Sequence, residues 1–255
     1  MGTAIKGMLL GATTWLALGA APAIAADLPA RTYTKAPAMM AAIYDWSGFY
    51  VGLNAGGGSA HKCWTNTNAF GGLAAATAEG CHDATGALAG GQLGYRLQTG
   101  GWVFGVEAQG NWANFKGSNV SQVAPLATNQ SRIDAVGLFT GQVGYAWSNV
   151  LWYVKGGAAV SNDKYNGLIT APGTVFDQAR ETRWGGAVGT GVEFGFAPNW
   201  SVAAEYDHLF MGNRTLTFTG VPGGAPSRSD TVGQNVDMAT VRVNYRWGGP
   251  VIGKY

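Results

Sequence analysis

The sequence predicts an all-β chain: an eight-stranded antiparallel up-and-down barrel that crosses a membrane with strands rather than helices. Three observations predict it. From Tyr44 onward apolar and polar residues alternate with a period of two, as in strands with unlike faces. Very short turns alternate with long connections. Tryptophans gather beside the short turns. A repeat of about fifty residues, each a hairpin plus a long connection, underlies all three. Its copies are Gly94–Leu97 before Trp102–Gly105, Leu138–Val160 around Ser148-Asn149, Val192–Phe196 before Trp200–Val202, and the closing Val243–Trp247.

Composition agrees. Only 12% of the 255 residues are charged, against about 25% in ordinary soluble domains. The 41 glycines argue against long helices. The net charge of +2, with no Lys/Arg cluster along the chain, gives no support for a nucleic-acid partner.

The first segment, residues 1–25, reads as a signal peptide. Lys6 supplies the positive start, Met8–Ala21 the apolar core and Ala23-Ile24-Ala25 the small-residue cleavage site. Residues 26–43, with Pro29 and Pro37 and no periodicity, read as a flexible leader. The barrel is expected over 44–247 and a short tail over 248–255. No later apolar run is long enough for a transmembrane helix.

The strands follow in order. The first, Trp46–Gly56, sets Phe49, Val51 and Leu53 against Tyr50, Gly52 and Asn54. The second, about Ala87–Leu97, sets Leu93, Tyr95 and Leu97 against Gln92 and Arg96. The third sets Trp102, Phe104, Val106 and Trp112 against Glu107, Gln109 and Asn111. The fourth places Phe139, Val143, Tyr145 and Trp147 opposite Thr140 and Gln142, and the fifth Trp152 and Val154 opposite Tyr153 and Lys155. The sixth places Trp184, Val188, Val192, Phe194 and Phe196 opposite Arg183 and Glu193. The seventh has Trp200, Val202 and Tyr206 opposite Ser201, Glu205 and Asp207. The eighth has Val241, Val243, Tyr245 and Trp247 opposite Arg242, Asn244 and Arg246.

Alternation alone does not say which face is inside, since soluble sandwiches also alternate. Mid-strand charges of both signs decide it, because they can pair across a narrow lumen but not in lipid. The tiny connections (about 98–101, 148–149, 197–199) and the long ones (about 57–86, 114–131, 161–181, 212–235) then define two ends. Trp46, Trp102, Trp147, Trp152, Trp200 and Trp247 at one end, with Trp112 and Trp184 near the other, are the expected aromatic girdles.

The opening Trp46-Ser47-Gly48-Phe49-Tyr50-Val51-Gly52, the segment Val143-Gly144-Tyr145-Ala146-Trp147, Pro198-Asn199-Trp200-Ser201, Ala204-Glu205-Tyr206 and the ending Asn244-Tyr245-Arg246-Trp247-Gly248-Gly249-Pro250 carry a resemblance. Together with the signal peptide before Ala26-Asp27-Leu28-Pro29, they resemble the small alphaproteobacterial outer-membrane immunogenic or porin-family barrels. These in turn are similar to the transmembrane domain of OmpA. The resemblance covers essentially the whole mature chain. It implies an eight-stranded barrel in the outer membrane of a Gram-negative bacterium, with short periplasmic turns, long extracellular loops and a role as surface antigen and envelope component. The implied partners are outer-membrane lipid or lipopolysaccharide, and the barrel-assembly machinery through the C-terminal strand. The chain departs from the family pattern at Thr140 and Gln142, where relatives often carry Arg. It also departs at Trp247, where Phe is commoner, so both Trp247 and Tyr255 are candidates for the insertion signal.

An eight-stranded barrel has an interior that side chains fill. Arg96, Glu107, Lys155, Arg183, Glu193, Glu205, Asp207, Arg242 and Arg246 are therefore expected to form a charge-paired plug, with a narrow ion path as the alternative. Cys63 and Cys81, in an exported chain, are most simply a disulfide. The alternative is a metal or haem site with His61 and His82, and some relatives of the resembled family are reported to bind haemin. The one histidine on an expected strand, His208, has Tyr206 and Phe210 as its same-face neighbours, with no serine to activate. No nucleotide fingerprint appears, so no catalytic site and no cofactor are expected. Three functions remain in view: a structural surface barrel, a small diffusion pore, and a receptor or adhesin using Trp64, the Cys63–Cys81 segment and Asn213–Gln234.

Overall fold

The computed structural model describes residues 44–69 and 72–247. The expected signal peptide, the leader 26–43 and the tail 248–255 with Tyr255 lie outside the described residues. Eight strands follow one another: β1 Gly48–Ala69, β2 Gly72–Thr99, β3 Trp102–Val120, β4 Ala127–Trp147, β5 Val150–Ile169, β6 Val175–Ala197, β7 Trp200–Gly220 and β8 Pro226–Trp247. Each pairs antiparallel with its neighbours in sequence, and β1 pairs with β8, so the sheet closes on itself. Closure leaves no edge, which is what lets a sheet sit in hydrocarbon without unsatisfied backbone groups.

The short turns have the chemistry the chain needs there. Gly100 and Ser148 hold φ of 62° and 58°, the left-handed conformation of two-residue hairpin turns whose twist matches the strands.

The faces are as the alternation requires. Phe49, Val51 and Leu53 of β1 point outward, while Tyr50 and Asn54 are buried inside. The same division holds for Val106 against Glu107 and for Val241 against Arg242. Strand length is where the structure departs from the sequence reading. A membrane needs about 9–11 tilted residues per strand, but these strands run for 19 to 28. Most of the long connections at 57–86, 114–131, 161–181 and 212–235 are themselves paired, and the breaks between strands at that end shrink to 70–71, 121–126, 170–174 and 221–225. Those segments lack an apolar outer face because they stand beyond the lipid, so the alternation that marks a membrane strand is missing from them.

One seam is open. The β6–β7 ladder is interrupted between Gln178↔Thr219 and Gly186↔Phe210. Arg183 spans the interruption by donating to the Gly212 carbonyl at 3.3 Å.

Candidate functional site: the filled lumen and the two rims

The inward face of β1 passes through the contents of the barrel layer by layer: Tyr50, Asn54, Ala60, Lys62, Trp64 and Asn66 are all buried. At the short-turn end Trp46 packs with Val103, Ala146, Leu151 and Tyr153, with Tyr44 against them. Trp46 is 1% exposed. It was expected in the aromatic girdle and is instead a stopper, because the chain before Gly48 turns into the barrel mouth rather than continuing up the wall. Its backbone N–H donates to Gln98 Oε1 at 2.8 Å. Arg246 closes the same mouth, donating to the Ser47 carbonyl at 2.9 Å and the Pro198 carbonyl at 3.2 Å.

Above this lies a belt of charge. Arg96 meets Glu193 at 2.8 Å. Arg242 bridges Glu107 and Glu205. Lys155 lies 2.7 Å from Glu205, 3.1 Å from Asp207 and 3.6 Å from Glu107. Two tyrosines complete the network, Tyr50 donating to Glu107 and Tyr153 to Glu205, each at 2.6 Å. Gln142 connects the halves, accepting from Arg96 at 3.3 Å and donating to the Tyr50 oxygen at 2.8 Å. Burial this complete is tolerable only because each charge faces opposite charges.

Seven of the nine residues expected in one plug thus meet. Arg246 stands apart at the mouth. Arg183 lies farther out, paired with Glu181, because its strand carries it beyond the apolar layer that divides the lumen. That layer is built from Leu88, Phe115, Ile133, Leu138, Leu209 and Met238, among others. Gly58 makes room for it: a Cβ there would come within 2.7 Å of the Phe115 ring.

The outer half of the lumen holds polar clusters that the sequence reading missed. Lys62 meets Asp163 at 2.6 Å and Tyr165 Oη at 3.3 Å. Burial pulls the Lys62 ammonium below its ordinary range, although Asp163 opposes the shift. Trp64 is buried with Tyr165, Phe218 and Val232, so it belongs to the core and not to the exposed receptor surface expected of it. Over it lies the Arg228 guanidinium, 4.7 Å from the Phe218 ring centroid. Arg228 reaches Asp177 at 2.9 Å, Glu79 at 3.0 Å and Asp230 at 3.2 Å. These residues lie in the segments 57–86, 161–181 and 212–235, whose sequence lacks the alternation that distinguishes an inward face.

On the outside, Trp102, Trp147, Trp152, Trp200 and Trp247 are exposed at the short-turn end, and Trp112 and Trp184 are exposed farther along. Several interlock with tyrosines, as in Trp102–Tyr145 and Trp200–Tyr245, with centroids 5.5 and 5.0 Å apart. Cys63 and Cys81 are directly opposed and joined in a disulfide. His61 lies beside them, its Nδ1 2.7 Å from Asp83. His82 turns inward to Asn119 and Ser131, and burial holds it below its usual range. Of the four ligand candidates of the metal or haem reading, His61, Cys63 and Cys81 lie within 4.8 Å of one another, but the two sulfurs are bonded to each other and His82 faces Asn119 and Ser131 instead. His208 and Tyr206 both bond the Asp237 carboxylate; among the described residues no serine or cysteine joins them.

An up-and-down ring of eight strands, girdled by aromatics and filled by paired charges, is the arrangement of a small bacterial membrane barrel. The outer-membrane protein beta-barrel domain description matches residues 14–247 of the chain. The chain belongs to that family. It is 27% identical over 222 residues to the 31 kDa outer-membrane immunogenic protein of Brucella melitensis biotype 1, covering 78% of this chain and 85% of that one. The protein of the same description from Brucella suis biovar 1 matches equally. Among solved structures, the outer membrane protein OprG of Pseudomonas aeruginosa superposes with a TM-score of 0.52, covering 80% of this chain and 99% of that one. At 12% identity, OprG supports the shared fold alone. The protein is thus an eight-stranded outer-membrane β-barrel.

Proposed function

We propose that this outer-membrane barrel is a closed structural element that displays its hairpins as a surface antigen, and that it is neither a diffusion pore nor an enzyme. The observation that carries the reading is the lumen: Trp46, the Arg242 and Lys155 belt, the Phe115 layer, the Lys62–Asp163 pair and the Arg228 cap fill it in succession. The immunogenic description of the Brucella proteins supports display at the surface.

The test is single-channel conductance of refolded protein in a planar bilayer, after folding is confirmed by its altered gel mobility. Silence from well-inserted protein is the expected result. Discrete, reproducible openings would replace this reading with that of a small pore.

A further inference from the structure

Four cations far apart in sequence stand in one row on the outer wall. The register places Lys116 of β3 opposite Arg132 of β4, Arg132 opposite Lys164 of β5, and Lys164 opposite Arg180 of β6. Like charges directly opposite one another on adjacent strands destabilise a sheet. Here three such pairs occur side by side, flanking a basin of about 520 Å³ lined by all four cations.

The row has little internal compensation. Asp134 bonds both Arg132 and Lys164. Among the described residues Lys116 and Arg180 have no carboxylate within ion-pair distance, and the nearby Asp83 is engaged by His61. Lys116, Arg132 and Arg180 are exposed and Lys164 is half-buried.

The height of the row is fixed by the outer tryptophans. Lys116 lies four residues beyond Trp112 on the same face of β3, and Arg180 lies four residues beyond Trp184 on β6. Indoles mark the boundary between acyl chains and headgroups. Four residues at about 3.3 Å each, on a strand tilted by about 40°, place the cations roughly 10 Å farther out. That is the level of the headgroup phosphates.

We propose that the Lys116–Arg132–Lys164–Arg180 row is a binding surface for the phosphorylated headgroup of an outer-leaflet glycolipid. Guanidinium groups grip phosphate oxygens in pairs, lysines act as point charges, and the occupant supplies the negative charge that the row lacks. The proposal rests on the outer-membrane location and not on the closed lumen, so a conducting barrel would leave it standing.

The test uses the full barrel refolded into vesicles containing either diphosphorylated lipid A or the same lipid without its phosphates. Retained lipid is counted by native mass spectrometry. The parent should retain the phosphorylated form preferentially, with the preference falling as salt rises. The double variant Lys116→Gln/Arg180→Gln removes the two cations without an ion-pair partner and so leaves the Asp134 pairs intact. At about fivefold per cation near a charged membrane surface, it should lose roughly thirtyfold in retention. Arg214→Gln, a surface cation outside the row, should retain lipid as the parent does. Equal retention of both lipids by the parent, or full retention by the double variant, would overturn the assignment.

Discussion

Lys62 of β1 and Asp163 of β5 stand 101 residues apart in the chain and meet at 2.6 Å inside the barrel, with neither side chain exposed. A pair so placed costs much desolvation and repays it only while both partners are present. Lys62→Met should therefore destabilise the protein by about 3–5 kcal/mol, read as a lower urea midpoint for unfolding from vesicles. Adding Asp163→Leu should recover most of the loss. A single variant as stable as the parent would show that the ammonium contributes nothing there.

Trp46 and Trp200 separate the stopper from the girdle. Removing a fully buried indole should cost about 3–5 kcal/mol, so Trp46→Ala should unfold at clearly lower urea. Trp200→Ala, at a side chain half-exposed to lipid, should cost less. A reversed order would place Trp46 on the outside.

The lipid face has its own signature. Val192 is 49% exposed on the outer wall, and arginine there should cost roughly 2–4 kcal/mol near the bilayer midplane. Equal yields of folded Val192→Arg and parent in vesicles of matched thickness would contradict the facing of β6.

Asp230, at the long-hairpin end of the barrel, should make that end sensitive to pH. Burial pushes its carboxyl up to about 7, with Glu79 and Asp177 adding to the rise and Arg228 opposing it. A carboxyl whose pKa is raised by folding contributes stability that is complete below its unfolded value and is lost as pH rises through the folded one. Hydrogen exchange of the β7–β8 tip, corrected for intrinsic rates, should show protection falling between about pH 4 and pH 7, by at most about tenfold per unit, and levelling off above that. Asp230→Asn should flatten the profile. An unchanged slope in that variant would assign the effect to another group.

How far the sequence could be read depended on whether lipid left its mark. Where one face of a strand meets hydrocarbon, as at Phe49, Val106 or Val241, alternation shows the facing and the lumen charges with it. Beyond the lipid both faces carry Thr, Asn and Ser, and the pairing that continues there is held by backbone bonds and by contacts such as Asn66 to Asp230 at 2.9 Å. Nothing local distinguishes such a strand from a polar loop, so Lys62, Trp64 and Arg228 could not be placed inside. Trp46 misled because proximity to a short turn does not reveal where the entering chain bends. The basic row was invisible because its members lie sixteen or more positions apart, and only the register of three hairpins aligns them.

The seam between β1 and β8 carries a consequence for biogenesis. Its two sides are the first and last strands, and they pair from Phe49↔Trp247 to Ala69↔Arg228. Until β8 has emerged, the 22 residues of β1 present an unmatched row of amide and carbonyl groups, an invitation to any other chain in the same condition. Strand pairing between opposite ends of a sequence also forms slowly, since the loop it closes is nearly the whole chain. Transit to the membrane therefore demands that this edge be shielded for as long as the ring is incomplete. The last strand to arrive determines whether the first seven become a barrel or an aggregate.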